Sequence, residues 1–197
     1  MPTCEFVFDL GSSYSYLAST QLKALAARTG ATIELVPVVL GAVFKSVGRE
    51  DLPPAPRLAW MRRDMSLWAT RYGLSLEFPE SFPTRTILAL RTIVAAGQGG
   101  EGNDHRAMHA LFATYWAKGQ DLADPAVVRS ALDGAGLDGA ALIAKAEEKA
   151  VKDVLRANTD QAIARGVFGA PTFFVGDQLF FGNDRLDFVE SALRATQ

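Results

Sequence analysis

The stretch CEFVFDLGSSYSYLA, running from Cys4 to Ala18, sets the reading of the whole chain. Cys4–Phe8 is short, apolar and rich in strand formers, which predicts a buried strand. Gly11 and the serines after it are turn and helix-cap residues. From Tyr14 to Arg28 apolar residues recur at helical spacing, and Gly30 ends that helix. Thr32–Leu40, TIELVPVVL, predicts a second strand. This β-α-β order needs a right-handed crossover and implies a parallel pair. Ser12 and Ser15 stand three apart where strand passes into helix, a place redox proteins usually give to two cysteines.

Beyond this unit the pattern changes. After a loop carrying Gly41, Gly48 and the Pro53-Pro54-Ala55-Pro56 cluster, strand-like runs nearly vanish. Residues 57–72, 85–96, 104–118, 125–133 and 138–165 have helix-forming composition, with Asp124-Pro125 opening one helix and Gly166 closing another. Gly97–Gly102, GQGGEG, follows no strand and reads as a connector. Strands return in Thr172–Val175 and Gln178–Phe181 around the two-residue hairpin signal Gly176-Asp177. Asn183-Asp184 then cap a final amphipathic helix through Leu193. The fold class is α/β: a thioredoxin-like domain, β-α-β … β-β-α, formed by residues 1–40 and 166–197 and interrupted by an all-helical insertion domain at 41–165.

The totals fit this picture. A chain of 197 residues buries roughly 70% of its unfolded surface on folding. Its formal net charge of −2 calls for neither nucleic acid nor an anionic membrane. No apolar run reaches the ~18 residues of a membrane span, and the N-terminus lacks the pattern of a signal peptide. One cysteine, Cys4, forms no intrachain disulfide, which fits a reducing cytoplasm. Cys4 lies within the first strand and reads as a buried, inert thiol. His105 and His109 share a helix face but make no metal pattern, so no metal site is expected.

As residues alone, Ser12 and Ser15 are helix caps. A chemical reading exists beside that one. Ser12 stands where free backbone N–H groups and the helix dipole favour an anion, yet no base adjoins it to make it a nucleophile. It suits a donor to a thiolate brought from outside. Lowering a thiol pKa by two units needs roughly 2.7 kcal/mol. A hydrogen bond to a charged group supplies about 1.5–3 kcal/mol, and a helix N-terminus roughly 0.3–1 kcal/mol more. Ala170-Pro171, read locally, is a trans proline opening a strand. Asn183 and Asp184 are a helix N-cap, or alternatively a cradle for a zwitterionic amino-acid end. Lys45, Arg49, Arg57 and Arg85 flank loops near Ser12 and are otherwise ordinary surface cations.

FDLGSSYSYLAS resembles the N-terminal motif of the 2-hydroxychromene-2-carboxylate isomerases and related kappa-class glutathione transferases, approximately F-D-F-x-S-P-[YF]-S-Y-L-A. Similar blocks follow in order: GAVFKSVG, APRLAWMRRDMSLWATRYGL, FPESFPTRTILALR and ARGVFGAPTFFVGDQLFFGNDRL. The resemblance implies a thioredoxin-like domain with a helical insertion and glutathione bound at their junction. Ser12 falls on the family's catalytic serine, which steadies the glutathione thiolate. Ala170 and Pro171 match a cis-proline segment that would pair with the cysteinyl part of glutathione. Asn183, Asp184, Arg185 and Leu186 match the segment that holds its γ-glutamyl end. Arg57 replaces a family lysine that handles a carboxylate. Ser13 stands where the family has proline, and Arg49-Glu50 and Arg85 fall where asparagine is common. The family mechanism implies reversible thiolate addition to a ring-closed aromatic substrate, ring opening, rotation and release. Lys45, Arg49, Arg57 and Arg85 are the candidates for the substrate carboxylate. A homodimer is expected. The alternatives are a kappa-like transferase, a non-catalytic glutathione- or peptide-binding module, and a thiol–disulfide oxidoreductase, the last opposed by Ser12-x-x-Ser15.

Overall fold

A computed structural model of the chain describes residues 1–49 and 53–196. Four strands form one sheet in the order β2-β1-β3-β4: β1 is Thr3–Phe8, β2 Thr32–Pro37, β3 Thr172–Val175 and β4 Gln178–Phe181. β1 and β2 are parallel, with Phe6 opposite Leu35. β3 runs antiparallel to both β1 and β4. The turn between β3 and β4 is Gly176-Asp177, where Gly176 adopts a positive φ of 57° that a side chain would disfavour.

Alternation along the strands separates two cores. Cys4, Phe6 and Phe8 point to one face with Phe173 and Val175; Val7 and Phe174 point to the other. On the first face Phe6 stacks on Phe8 at 5.1 Å, and Phe8 meets Phe112 at 5.7 Å. Phe112 belongs to α6, Asn103–Trp116, so the helices between β2 and β3 share a continuous apolar cluster with the sheet. Below the second face lie Val38 and Val43, together with Ala162 of α9, Lys149–Ala164. Glu5 leans outward on this face to Arg165, at 2.6 Å, and the Arg165 guanidinium lies 3.6 Å over Phe174.

The helices are α1 Ser13–Ser19, α2 Leu22–Thr29, α3 Leu40–Ser46, α4 Ala55–Tyr72, α5 Ile87–Gly97, α6, α7 Pro125–Gly134, α8 Gly139–Ala146, α9 and α10 Leu186–Ala195. Asp124 caps α7 by accepting from the Ala126 N–H, with Pro125 in the first turn. Among the described residues no helix is long and apolar enough to cross a membrane.

Several sequence expectations change. The helix expected from Tyr14 to Arg28 is two helices broken at Thr20-Gln21, because the Thr20 hydroxyl turns back to the Leu17 carbonyl. Residues 138–165 divide into α8 and α9 at Glu147-Glu148. The second strand ends at Pro37, so Leu40, read as its last residue, instead opens α3, which runs on into the segment read as loop. His105, which shares a helix face with His109, sets its Nε2 3.2 Å from the Ile33 carbonyl.

Burial gives the fold a pH signature. Desolvation, then the Glu5 charge, raises the Cys4 thiol from its ordinary value of 9.0 to about 12. Burial is also the largest cause raising the Tyr115 phenol from 10.0 to about 12. The folded chain keeps both protonated while the unfolded chain begins to ionise near pH 9 and 10. Their contribution is complete below those values and is lost as pH rises toward 12. Urea midpoints should therefore fall progressively from pH 9 upward, and Cys4→Ala should remove the earlier part of the decline. Rapid reaction of native Cys4 with a thiol reagent at pH 8 would contradict its burial.

Candidate active site

The antiparallel register of β1 and β3 creates the site. Val7 pairs with Thr172, so the residues just beyond β1 face those just before β3. Ser12 is the N-cap of α1, with φ −90° and ψ 111°. Its Oγ accepts from the Ser15 N–H at 3.2 Å and donates to the Ala170 carbonyl at 2.9 Å. The residue-level expectation of a trans proline is corrected, and the resemblance's cis form is the one found at Ala170-Pro171. Phe82-Pro83 is also cis and was not anticipated. Pro171 has no N–H, and its carbonyl accepts from Gly182 at 3.0 Å. Among the described residues the Ala170 N–H donates to no acceptor. An amide donor and an exchangeable carbonyl therefore lie together beside Ser12.

Asp9 fixes this corner, and sequence reasoning missed it. It is 4% exposed. Oδ1 accepts from the Gly11 N–H at 2.8 Å and the Thr86 hydroxyl at 2.9 Å, while Oδ2 accepts from the Leu40 N–H at 2.8 Å. One carboxylate thus joins the β1–α1 turn, the start of α3 and the approach to α5. Its sequence signal was an acid at the end of an apolar strand, two residues before glycine. Trp116 adds a second tie, its Nε1–H donating to the Leu10 carbonyl at 2.8 Å.

The expected cap at the last helix takes another form. Asn183–Arg185 is a 3-10 turn leading into α10, and no side chain caps either. Asn183 is buried, and its amide nitrogen completes no hydrogen bond although it lies near the Tyr72 hydroxyl. Asp184 is exposed and paired with Arg185 at 2.7 Å. Such a surface pair is weak, about 0–1 kcal/mol, and exchangeable for another cation. Gly182, at φ 107°, approaches Asp184 so closely that an added Cβ would meet Oδ1 at 2.5 Å. Leu186 is half-buried against the main core.

The other cations divide. Arg49 stacks on Phe44 at 4.1 Å, and its pKa is lowered by burial first and by Arg57 second. Arg57 also acts on Tyr14, whose hydroxyl donates to Asp64 Oδ2 at 2.8 Å. Burial, then this bond and the Asp64 charge, raises the Tyr14 phenol; Arg57 opposes the rise and Asp184 adds to it. Tyr14, Asp64, Arg49, Arg57 and Asp184 thus form one connected neighbourhood. Lys45, in the last turn of α3, and Arg85, just before Thr86, are exposed and make no ion pair among the described residues. Glu50 lies outside the described residues. Among those described, no group of three His, Cys, Asp or Glu side chains is placed to hold a metal.

Comparisons with known proteins place this geometry. The family model for a DSBA-like thioredoxin domain matches residues 3–194. A 2-hydroxychromene-2-carboxylate isomerase from Sphingobium xenophagum is 36% identical over 194 residues, covering 97% of both chains. The chain belongs to the 2-hydroxychromene-2-carboxylate isomerase family. It is an enzyme of that family within the DsbA-like thioredoxin fold. A solved 2-hydroxychromene-2-carboxylate isomerase superposes with a TM-score of 0.84 at 30% identity, covering 98% of this chain and 95% of the other. Human glutathione S-transferase kappa 1 is 24% identical and covers 97% of this chain and 90% of its own. DsbM from Pseudomonas aeruginosa, solved with GSH, shares the fold at a TM-score of 0.66 and 18% identity, covering 98% of this chain and 99% of its own.

Asp9→Ala leaves the partly buried N–H groups of Gly11 and Leu40 and the buried Thr86 hydroxyl without their acceptor. Stability should drop by about 3 kcal/mol, read as a lower urea midpoint. A midpoint within error of the parent would show that Asp9 does not hold this corner.

Proposed function

We propose that this isomerase-family enzyme is glutathione-dependent and interconverts 2-hydroxychromene-2-carboxylate, or a close aromatic analogue, with trans-o-hydroxybenzylidenepyruvate by cis–trans isomerisation through a transient glutathione adduct. The observation that carries the reading is the 2.9 Å bond from Ser12 Oγ to Ala170, which joins a helix-capping hydroxyl to an open backbone edge. The donor set suits the tripeptide. The unpaired Ala170 N–H and the neighbouring carbonyl match a peptide backbone. The buried, unbonded Asn183 amide and the Asp184 carboxylate match the two charges of a γ-glutamyl end. Arg185 and Leu186 complete that segment. The kappa-class relatives, named as glutathione transferases, agree with this choice of cosubstrate.

When bound, glutathione supplies a thiolate nucleophile that can add to and leave an unsaturated carbon without net oxidation. The chain's own groups orient and stabilise. Ser12 donates its hydroxyl hydrogen toward the sulfur, and the free N–H groups of the first turn of α1 favour the negative charge. Ala170 and Pro171 align the peptide. Arg49 and Arg57 are close enough to influence each other; in this reading they receive the substrate carboxylate, with Lys45 and Arg85 as outlying candidates. Tyr14 anchors α4 to α1 through Asp64, and so sets Arg57 relative to Ser12. The reading also makes the chain a cytoplasmic homodimer, with no role for nucleic acid or membrane.

Initial rates with the chromene acid, with and without glutathione, test this directly. Turnover should require glutathione, and Ser12→Ala should lose at least about tenfold in kcat. Wild-type turnover by Ser12→Ala would indicate another catalytic group, and no turnover above background by the wild-type protein would indicate a binding module. Conjugation of a chlorinated aromatic acceptor without isomerisation would make the protein a kappa-like transferase.

A further inference from the structure

Arg85 stands between two threonines, and a carboxylate holds each of them. Thr86 is buried, and its hydroxyl donates to Asp9 Oδ1 at 2.9 Å. On the other side the Thr84 hydroxyl donates to Asp121 Oδ1, which also accepts the Ala123 N–H at 3.0 Å. The Thr84 bond first, and the Ala123 bond second, hold the Asp121 carboxyl below its ordinary value. Hydrogen bonds to an ionised acceptor are the stronger kind. The segment is fixed upstream as well. The Glu77 N–H donates to the Trp116 carbonyl at 2.7 Å, and the Phe78 and Phe82 rings lie 5.7 and 5.9 Å from the Trp116 ring. Arg85 itself is exposed and makes no ion pair among the described residues.

Thr86 reaches the Ser12 turn through Asp9. The oxygen that accepts its hydroxyl also accepts the Gly11 N–H at 2.8 Å, one residue before Ser12. A Cβ added at Gly11 would lie 3.6 Å from Thr86 Cγ2, so the two segments are immediate neighbours. The Ser12 turn has supports that do not involve Thr86: the Ser12 N–H donates to the Asp9 carbonyl at 2.9 Å, and Trp116 holds the Leu10 carbonyl. The tie from Arg85 to that turn, in contrast, runs through the Thr86 hydroxyl. We propose that Thr84 and Thr86 are positioning residues of the isomerisation: their hydroxyls clamp the segment that presents Arg85, and Thr86, through Asp9, fixes it against the turn that presents Ser12. This rests on the functional reading above and adds the residues that set the acid substrate relative to the thiolate. A guanidinium meets a carboxylate through a planar fork, so the backbone carrying it must be held for one geometry to prevail. A misplacement of about 1 Å by a residue remote from the chemistry can cost about 10²-fold in rate. Losing the Thr86 hydroxyl therefore penalises the acid and spares the tripeptide. No bond forms or breaks at either threonine.

The test sets Thr86→Val against Thr86→Ser. Valine keeps the branched shape and drops the hydroxyl; serine keeps the hydroxyl and drops the methyl. Initial rates with the chromene acid at saturating glutathione give kcat/KM, and calorimetry gives the glutathione Kd, both on full-length protein under conditions where urea titration shows it folded. Thr86→Val should lose about tenfold or more in kcat/KM. Thr86→Ser should stay within about threefold of the parent, and the glutathione Kd should move less than about twofold in either variant. Parent-like kcat/KM in folded Thr86→Val would overturn the inference even if its urea midpoint fell, because the role would then be structural only. Equal losses in the two variants would assign the effect to the methyl and overturn it as well, as would a parallel loss of glutathione affinity. Should Thr86→Val not fold, Thr84→Val at the partly exposed outer end of the clamp carries the test. There a loss of about threefold or more in kcat/KM at unchanged glutathione Kd is expected, and parent-like kcat/KM overturns the inference. Parent turnover without glutathione would overturn the cosubstrate reading alone, since the two threonine variants are compared on the acid. No turnover of the acid by the parent would overturn both.

Discussion

One hydroxyl hydrogen bond, from Ser12 to Ala170, spans 158 positions of sequence and closes the site. It depends on the sheet order. With β1 and β3 adjacent and antiparallel, and Val7 opposite Thr172, the exit of the first strand and the entry of the third share one end of the sheet. A slip of one residue would reverse which side chains of β3 face each core and would part Ser12 from Ala170. Phe6 and Phe173, with ring centroids 5.3 Å apart, help hold the register from the apolar side. Packing and site chemistry are therefore set by the same strand pair.

Around that bond the enzyme uses polar groups in two ways. Asp9 is fully committed: a buried carboxylate gathering backbone and hydroxyl donors from three parts of the chain. Removing it disturbs architecture before chemistry. Asn183, Asp184 and the Ala170 amide differ, because they are unbonded or bound only to an exchangeable neighbour. Unmet donors at the edge of a packed core are unfavourable unless a ligand completes them. This contrast between filled and open hydrogen-bonding capacity separates the scaffold from the binding surface.

Much of the fold was legible from local pattern. The four strands announced themselves as short apolar runs, and Gly176-Asp177 marked the hairpin. The helix breaks were not legible: at Thr20-Gln21 the apolar periodicity continues, and around Glu147-Glu148 every residue is a good helix former. α3 was hidden by its brevity and by Gly41, and it forms where the Leu40 N–H meets Asp9. Ser12 stood out because of its place before a helix. The cis geometry of Ala170-Pro171 was legible only through the family resemblance, since local statistics favour trans and tertiary context decides. Asp9–Thr86 and Tyr14–Asp64 join residues 77 and 50 positions apart, beyond the reach of periodicity or motif.

The central claim is that this enzyme works with a thiolate it does not itself carry, held at the capped end of α1. A crystal structure of the protein soaked with glutathione tests it most directly. The account requires density for the tripeptide across Ala170-Pro171, its sulfur within hydrogen-bonding reach of Ser12 Oγ and its γ-glutamyl end at Asn183-Asp184. Density for the tripeptide elsewhere, with the Ser12–Ala170 bond undisturbed, would contradict it.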